Sequence, residues 1–187
     1  MMFSPNQVQR YTSALRLYIQ HSILRRGINA SHTTQLKKIT LAEALASKSE
    51  FSPVNINELS DSLLGTAQIL LLQRSESLKV ILKGGGVFLI NRQLYTALIL
   101  ELVVCGSDRI MIDSRSPYTV IKTRGLYKYG NLPKLIKAMS GDYLAETKNG
   151  AVIIRFPSPE TSLKPKKAEN EWYYLLDSFS PVNLWLK

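Results

Sequence analysis

Between residues 51 and 157 the apolar pattern changes period repeatedly, in the order helix, strand, strand, helix, strand, strand, helix, strand, strand. Helices repeat every 3.6 residues and strands every two, so this alternation constrains the fold more than any single motif does. The first helix opens at Asn55, with Glu58 three residues on completing a capping-box-like pair. It runs to about Arg74 with Leu59, Leu63, Ala67, Leu70 and Leu71 on one face. Residues 78–83 alternate as a strand, Gly84, Gly85 and Gly86 turn the chain, and 87–90 form a second short strand. Asn91 caps a helix through 104 that is almost wholly apolar and is expected to lie buried against a sheet. Strands at 109–113 and 118–122 flank a turn at Ser114, Arg115, Ser116 and Pro117. A short helix at 132–139 precedes a hairpin, 143–147 and 151–156, across Lys148, Asn149 and Gly150. The fold class is therefore α/β, a mixed sheet with helices on one face in a two-layer sandwich.

Ahead of this run, residues 1–50 read as a helical hairpin. Ser4 caps a helix from Pro5 to Arg26, with Val8, Tyr11, Leu15 and Tyr18 at helical spacing and Ala14, Leu17, Ile19, Ile23 and Leu24 widening the stripe. Gly27 and Asn29 stop it, and residues 31–34 cap a second helix to about Ser47. So much apolar surface needs a partner, either the rest of the chain or a second hairpin, so a homodimer is expected. The Ser52-Pro53 pair separates the hairpin from the α/β domain of 51–157. Residues 158–187 form a polar, Lys- and Pro-rich linker and then an amphipathic helix with Trp172, Tyr173, Leu175, Leu176 and Phe179.

The 187 residues carry a formal charge of +10, clustered at Arg25-Arg26, Lys37-Lys38, 124–128 and 164–167. Such a surface draws anions, nucleic acid or an acidic protein face, but no aromatic residues interleave the charges as in a nucleic-acid stripe, so a solvated basic surface is the plainer reading. No apolar run is long enough to span a bilayer, and the opening MMFSPNQVQR lacks signal-peptide order. One cysteine, Cys105, leaves no internal disulfide and fits a reducing, cytoplasmic setting.

Three stretches carry a resemblance: FSPVNINEL at 51–59, ALILELVVCG at 97–106, and LIKAMSGDYLAET at 135–147 followed by Asn149-Gly150 and IIRFP at 153–157. In this order and spacing they resemble the core of sensor histidine kinases, with its helical hairpin and Bergerat-type ATP-binding domain. The resemblance covers about residues 51–157, and more loosely 5–48. It implies a nucleotide site at Glu101, Cys105, Thr123 and Gly125, of which Cys105 and Thr123 depart from the family pattern. The family's Mg²⁺-ligating Asn corresponds to Cys105, and a thiol is a poor ligand for an ion that prefers oxygen. Glu101 keeps a carboxylate one turn earlier. The adenine-reading Asp corresponds to Thr123, whose hydroxyl accepts more weakly than a carboxylate, while Gly125 is kept. The family's long glycine-rich lid is reduced to residues 126–131, where Lys128, with Arg124, offers charge but no nest of amides. ATP hydrolysis and autophosphorylation are therefore not expected, and no cofactor or metal is. The plain reading of Cys105 is a small buried thiol.

The family also passes a phosphoryl group through a helix-borne histidine. Here His21 is the candidate, with Arg25 or Arg26 to steady the phosphoryl charge. Ser22 stands where the family usually has an acid, so the alternative is a surface histidine favoured near a helix C-terminus. His32 reads as a residue of the inter-helix turn. The resemblance thus implies a degenerate histidine-kinase-like signalling protein acting as a histidine phosphotransferase towards a receiver domain or another acidic signalling protein. A non-catalytic dimeric scaffold is the alternative, and a nucleic-acid-associated regulator, resting on charge alone, is a third.

Overall fold

The structure is a computed structural model that describes residues 5–26, 30–48, 50–72, 77–146 and 150–165. The amphipathic segment around Trp172 and the tip of the last hairpin lie outside the described residues. Helices α1 (Pro5–Arg26) and α2 (Ala30–Ala46) pair as the expected hairpin. Strand β1 (Ser52–Asn55) and helix α3 (Ile56–Leu72) follow, then β2 (Lys79–Gly84), β3 (Val87–Ile90) and α4 (Arg92–Val104). The chain continues with β4 (Arg109–Arg115), β5 (Tyr118–Arg124), α5 (Leu132–Ala138), β6 (Asp142–Glu146) and β7 (Ala151–Pro157).

Five strands form one sheet in the order β2-β4-β5-β7-β6, parallel between β2 and β4 and antiparallel elsewhere. Helices cover one face. From that side Ile110 and Ile112 of β4, Ile121 of β5, and Val152, Ile154 and Phe156 of β7 enter one core with Leu59, Leu63, Leu94 and Leu98 of the helices. The architecture is the expected two-layer α/β sandwich behind a helical hairpin. Every second residue of β4, β5 and β7 is buried because side chains alternate across a strand.

Several details differ from the sequence reading. Ser52 and Pro53 do not simply break the chain: they begin β1, which pairs antiparallel with β3. Proline is tolerated there because, among the described residues, one edge of β1 has no ladder partner. Asn55 still accepts from the Glu58 amide, at 3.3 Å, as an N-cap does. Strands β2 and β3 are not a hairpin, because Gly84 to Gly86 carry the chain from the large sheet to the small one. His32 lies inside α2 and not in a turn. Helix α4 is buried against the sheet as expected, its Tyr95 ring 5.9 Å from that of Phe156 on β7, and it also packs among α2, α3 and α5. After β7 the chain runs beside β3, where the Thr161 amide donates to Val87 and the Leu89 amide to Pro159.

A buried polar contact joins the end of the hairpin to the core. Asn91 accepts from the Leu94 amide at 2.8 Å as the cap of α4, and its side-chain amide donates to the Ser47 carbonyl. Helix α1 turns Val8, Thr12, Ile19 and Ser22 inward, whereas Tyr11, Leu17 and Tyr18 are 67%, 66% and 73% exposed. Of the stripe of Val8, Tyr11, Leu15 and Tyr18 read from the sequence, Val8 is thus half-buried and the other three are exposed.

Candidate functional site

Helix α4 ends at the residues singled out in the sequence. Glu101 and Cys105 are one turn apart, which puts both on one face. Both are buried. Residues 126–131 fold directly over them. The Asn131 amide donates to Glu101 Oε1 at 2.8 Å, and its side-chain amide donates to the same oxygen at 3.2 Å. The Tyr127 amide donates to the Cys105 carbonyl at 3.1 Å, and its hydroxyl donates to the Val104 carbonyl at 3.1 Å. A carboxylate, two α4 carbonyls and the start of α5 are therefore joined within the chain, so each polar group has a partner despite burial.

Gly130 makes this closeness possible. Its φ is +47°, a left-handed conformation that costs glycine little, and a side chain there would run into Glu101 Oε1 and sit 3.2 Å from Cys105 Sγ. Burial pushes the Cys105 thiol up from its ordinary 9.0 to about 12. Glu101 adds to this and Lys128 partly opposes it. Cys105 is thus a neutral thiol at physiological pH, which fits the plain reading of a buried cysteine.

Thr123 is also buried, and its hydroxyl meets Ser107 Oγ at 2.8 Å. Gly125, with φ +87°, lies so close to Asp108 that a Cβ would fall 2.9 Å from its carboxyl carbon. Its glycine therefore has a backbone reason independent of any ligand. Arg124 alternates to the opposite face of β5 from Thr123 and is exposed. Lys128 stands over the Tyr127 ring at 5.1 Å, on the Cys105 side. These two cations do not converge on one anion site.

His21 and Arg25 are both exposed on α1, one turn apart on the same face. Arg26 ends the helix, and its side chain lies outside the described residues. The structure thus brings Glu101 and Cys105 together, places Thr123 and Gly125 on and just after β5, and keeps His21 apart on the hairpin. Asn131, Tyr127 and Ser107 went unnoticed as site residues in the sequence, where Gly130 counted only as a lone glycine too few for a phosphate loop. Only Asn131, directly before Leu132 and Pro133, carried a legible signal, that of a helix start. Among the described residues no group of three His, Cys, Asp or Glu side chains is placed to hold a metal ion. Nor is any helix among them long and apolar enough to cross a membrane.

No protein-family model and no curated protein matches this chain. Among solved structures, histidine kinase AdeS of Acinetobacter baumannii is similar at 11% identity and a TM-score of 0.46, over 83% of this chain and 98% of that one. The catalytic domain of histidine kinase ThkA is similar at 12% identity and 0.48, over 60% of this chain and 99% of that one. The cytoplasmic segment of histidine kinase QseC is similar at 10% and 0.48, over 66% and 89%. At such identities and scores these likenesses carry nothing about the chemistry of this chain.

Proposed function

We propose that this chain is a degenerate histidine-kinase-like signalling protein that works without nucleotide and carries a phosphoryl group on His21 within a phosphorelay. The observation that supports it most is the closure of residues 126–131 over Glu101 and Cys105. In the resembling family that region receives Mg²⁺ and phosphates. Here Glu101 is engaged by Asn131, Thr123 by Ser107, and the remaining donor is a neutral thiol. Such a set does not suit Mg²⁺, which wants several oxygens in an open octahedral site. No step is therefore routed through ATP.

What remains is an exposed imidazole on a long helix with a guanidinium one turn away. A neutral imidazole nitrogen can attack the phosphorus of an aspartyl phosphate, and the P–O bond to the carboxylate breaks as the P–N bond forms. Arg25 would hold the transferring oxygens by charge. The +10 chain suits an acidic, carboxylate-rich partner such as a receiver domain. Calorimetric titration with Mg²⁺ and a non-hydrolysable ATP analogue should give no binding heat, and micromolar affinity would sink the nucleotide-free reading. A phosphorylated receiver should label the wild type and not His21→Ala. Equal labelling of both removes the carrier role and leaves the scaffold.

The scaffold reading has its own support. Tyr11, Leu15 and Tyr18, exposed at i, i+4 and i+7, form an apolar stripe on α1 of the kind a second hairpin would cover, giving a homodimer without catalysis.

A further inference from the structure

The face of the large sheet opposite the helices is uncovered among the described residues. Cross-strand register places Met111, Lys122, Ile153 and Leu144 side by side across β4, β5, β7 and β6. The next row holds Asp113, Val120, Arg155 and Asp142. Leu144 is 72% exposed, and Met111, Val120 and Ile153 are half-buried without joining the core. At one end Lys79, Arg109 and Arg124 stand abreast on β2, β4 and β5, all exposed. Like charges directly opposite one another repel, so this row is relieved by an anionic group laid over it. Of the carboxylates on the face, Asp113 pairs with Arg115 at 2.8 Å, and Asp142 lies in register with Arg155, whose guanidinium stands over the Tyr118 ring at 3.8 Å.

We propose that this face is the docking site of the chain's own residues 168–180. Within that segment Trp172, Leu175, Leu176 and Phe179 recur at i, i+3, i+4 and i+7, the spacing of one helical face. It contains Glu169, Glu171 and Asp177 and no Lys or Arg, so its charge is opposite to that of the face. The tether is long enough. Thr161 is held beside β3, and the eleven residues from 162 to 172 span up to about 36 Å extended. Five strands at about 4.8 Å apart are narrower than that. A tethered segment also meets the face at high effective concentration, which favours it over a free acidic partner or nucleic acid.

Both tryptophans of the chain, Trp172 and Trp185, lie in or just beyond this segment, so intrinsic emission of the 187-residue chain reports on it directly. Wild type should show blue-shifted emission shielded from acrylamide, unchanged on dilution. The double variant Val120→Glu, Ile153→Glu should lose that shielding and shift to the red while its far-UV circular dichroism stays the same. Solvent-like emission in wild type overturns the proposal. So does shielding that disappears on dilution, which means a second copy, or shielding that survives the double variant but is lost in Leu15→Glu, which means the hairpin. An oligonucleotide that binds the face without exposing the tryptophans overturns it as well. Should the double variant not fold, carbodiimide crosslinking of the wild-type monomer decides. Links from Glu169, Glu171 or Asp177 to Lys79 or Lys122 support docking, and their absence refutes it.

Discussion

Helices α1 and α4 are both rich in apolar residues and meet opposite fates. In α4, Leu94, Tyr95 and every residue from Ala97 to Val103 are buried. In α1 the large side chains Tyr11, Leu17 and Tyr18 face outward. The difference lies in the neighbours. Helix α4 packs against α2, α3 and α5 and ends under residues 126–131, whereas α1 rests on α2. Apolar content creates the demand for burial, and the number of surrounding elements decides whether it is met within the chain. The contrast separates a saturated region from one with surface left to offer.

The largest expected effect tests the saturated side. Leu98→Ala, at a fully buried position, should cost about 2–5 kcal/mol in urea-monitored unfolding, because it leaves a cavity that close packing only partly refills. A cost near zero would mean that α4 is less enclosed than described.

Next is the closure over α4. Glu101→Ala should cost about 1–3 kcal/mol, since it leaves the Asn131 amide donors without their carboxylate partner. Glu101→Gln, which keeps one acceptor oxygen, should recover part of that. Faster hydrogen exchange at Asn131 in the alanine variant would locate the loss.

A third effect is one of pH. The Cys105 thiol is raised to about 12 in the folded chain and titrates near 9 when unfolded. Between those values the folded state binds the extra proton, so stability falls as pH rises from about 9 and levels off above about 12. Cys105→Ala should remove that part of the alkaline slope. For the same reason, alkylation of wild-type Cys105 at pH 8 should be limited by unfolding.

The smallest effect on stability belongs to α1. Leu15→Glu should change unfolding by no more than about 0.5 kcal/mol, as surface substitutions usually do. Light scattering would then show whether that face joins two copies. A wild-type dimer that becomes monomeric in the variant sharpens the contrast between the two helices. A large loss of stability would break it.

Much of the fold was legible because period is local. The switches between 3.6-residue and two-residue spacing gave the helices and all but one of the strands, and Asn91 and Asn55 marked helix starts where the structure places them. Strand β1 was missed because Ser52-Pro53 reads as a breaker unless its partner β3 is known. Which side of α1 turns inward stayed open in the sequence for a related reason. Aromatic residues at helical spacing mark a stripe, but not whether that stripe meets the chain or the solvent.

At the candidate site, sequence by itself determined which chemistry is present: a thiol at Cys105, a hydroxyl at Thr123, a short link at 126–131 and an imidazole at His21. Side-chain identity fixes donor type and charge without any knowledge of neighbours. Only the tertiary structure decided that Asn131 satisfies Glu101, that Ser107 meets Thr123, and that Gly130 lets the link lie against Cys105. Those contacts join residues 16 to 30 positions apart, and such pairings depend on where the sheet brings the ends of its strands.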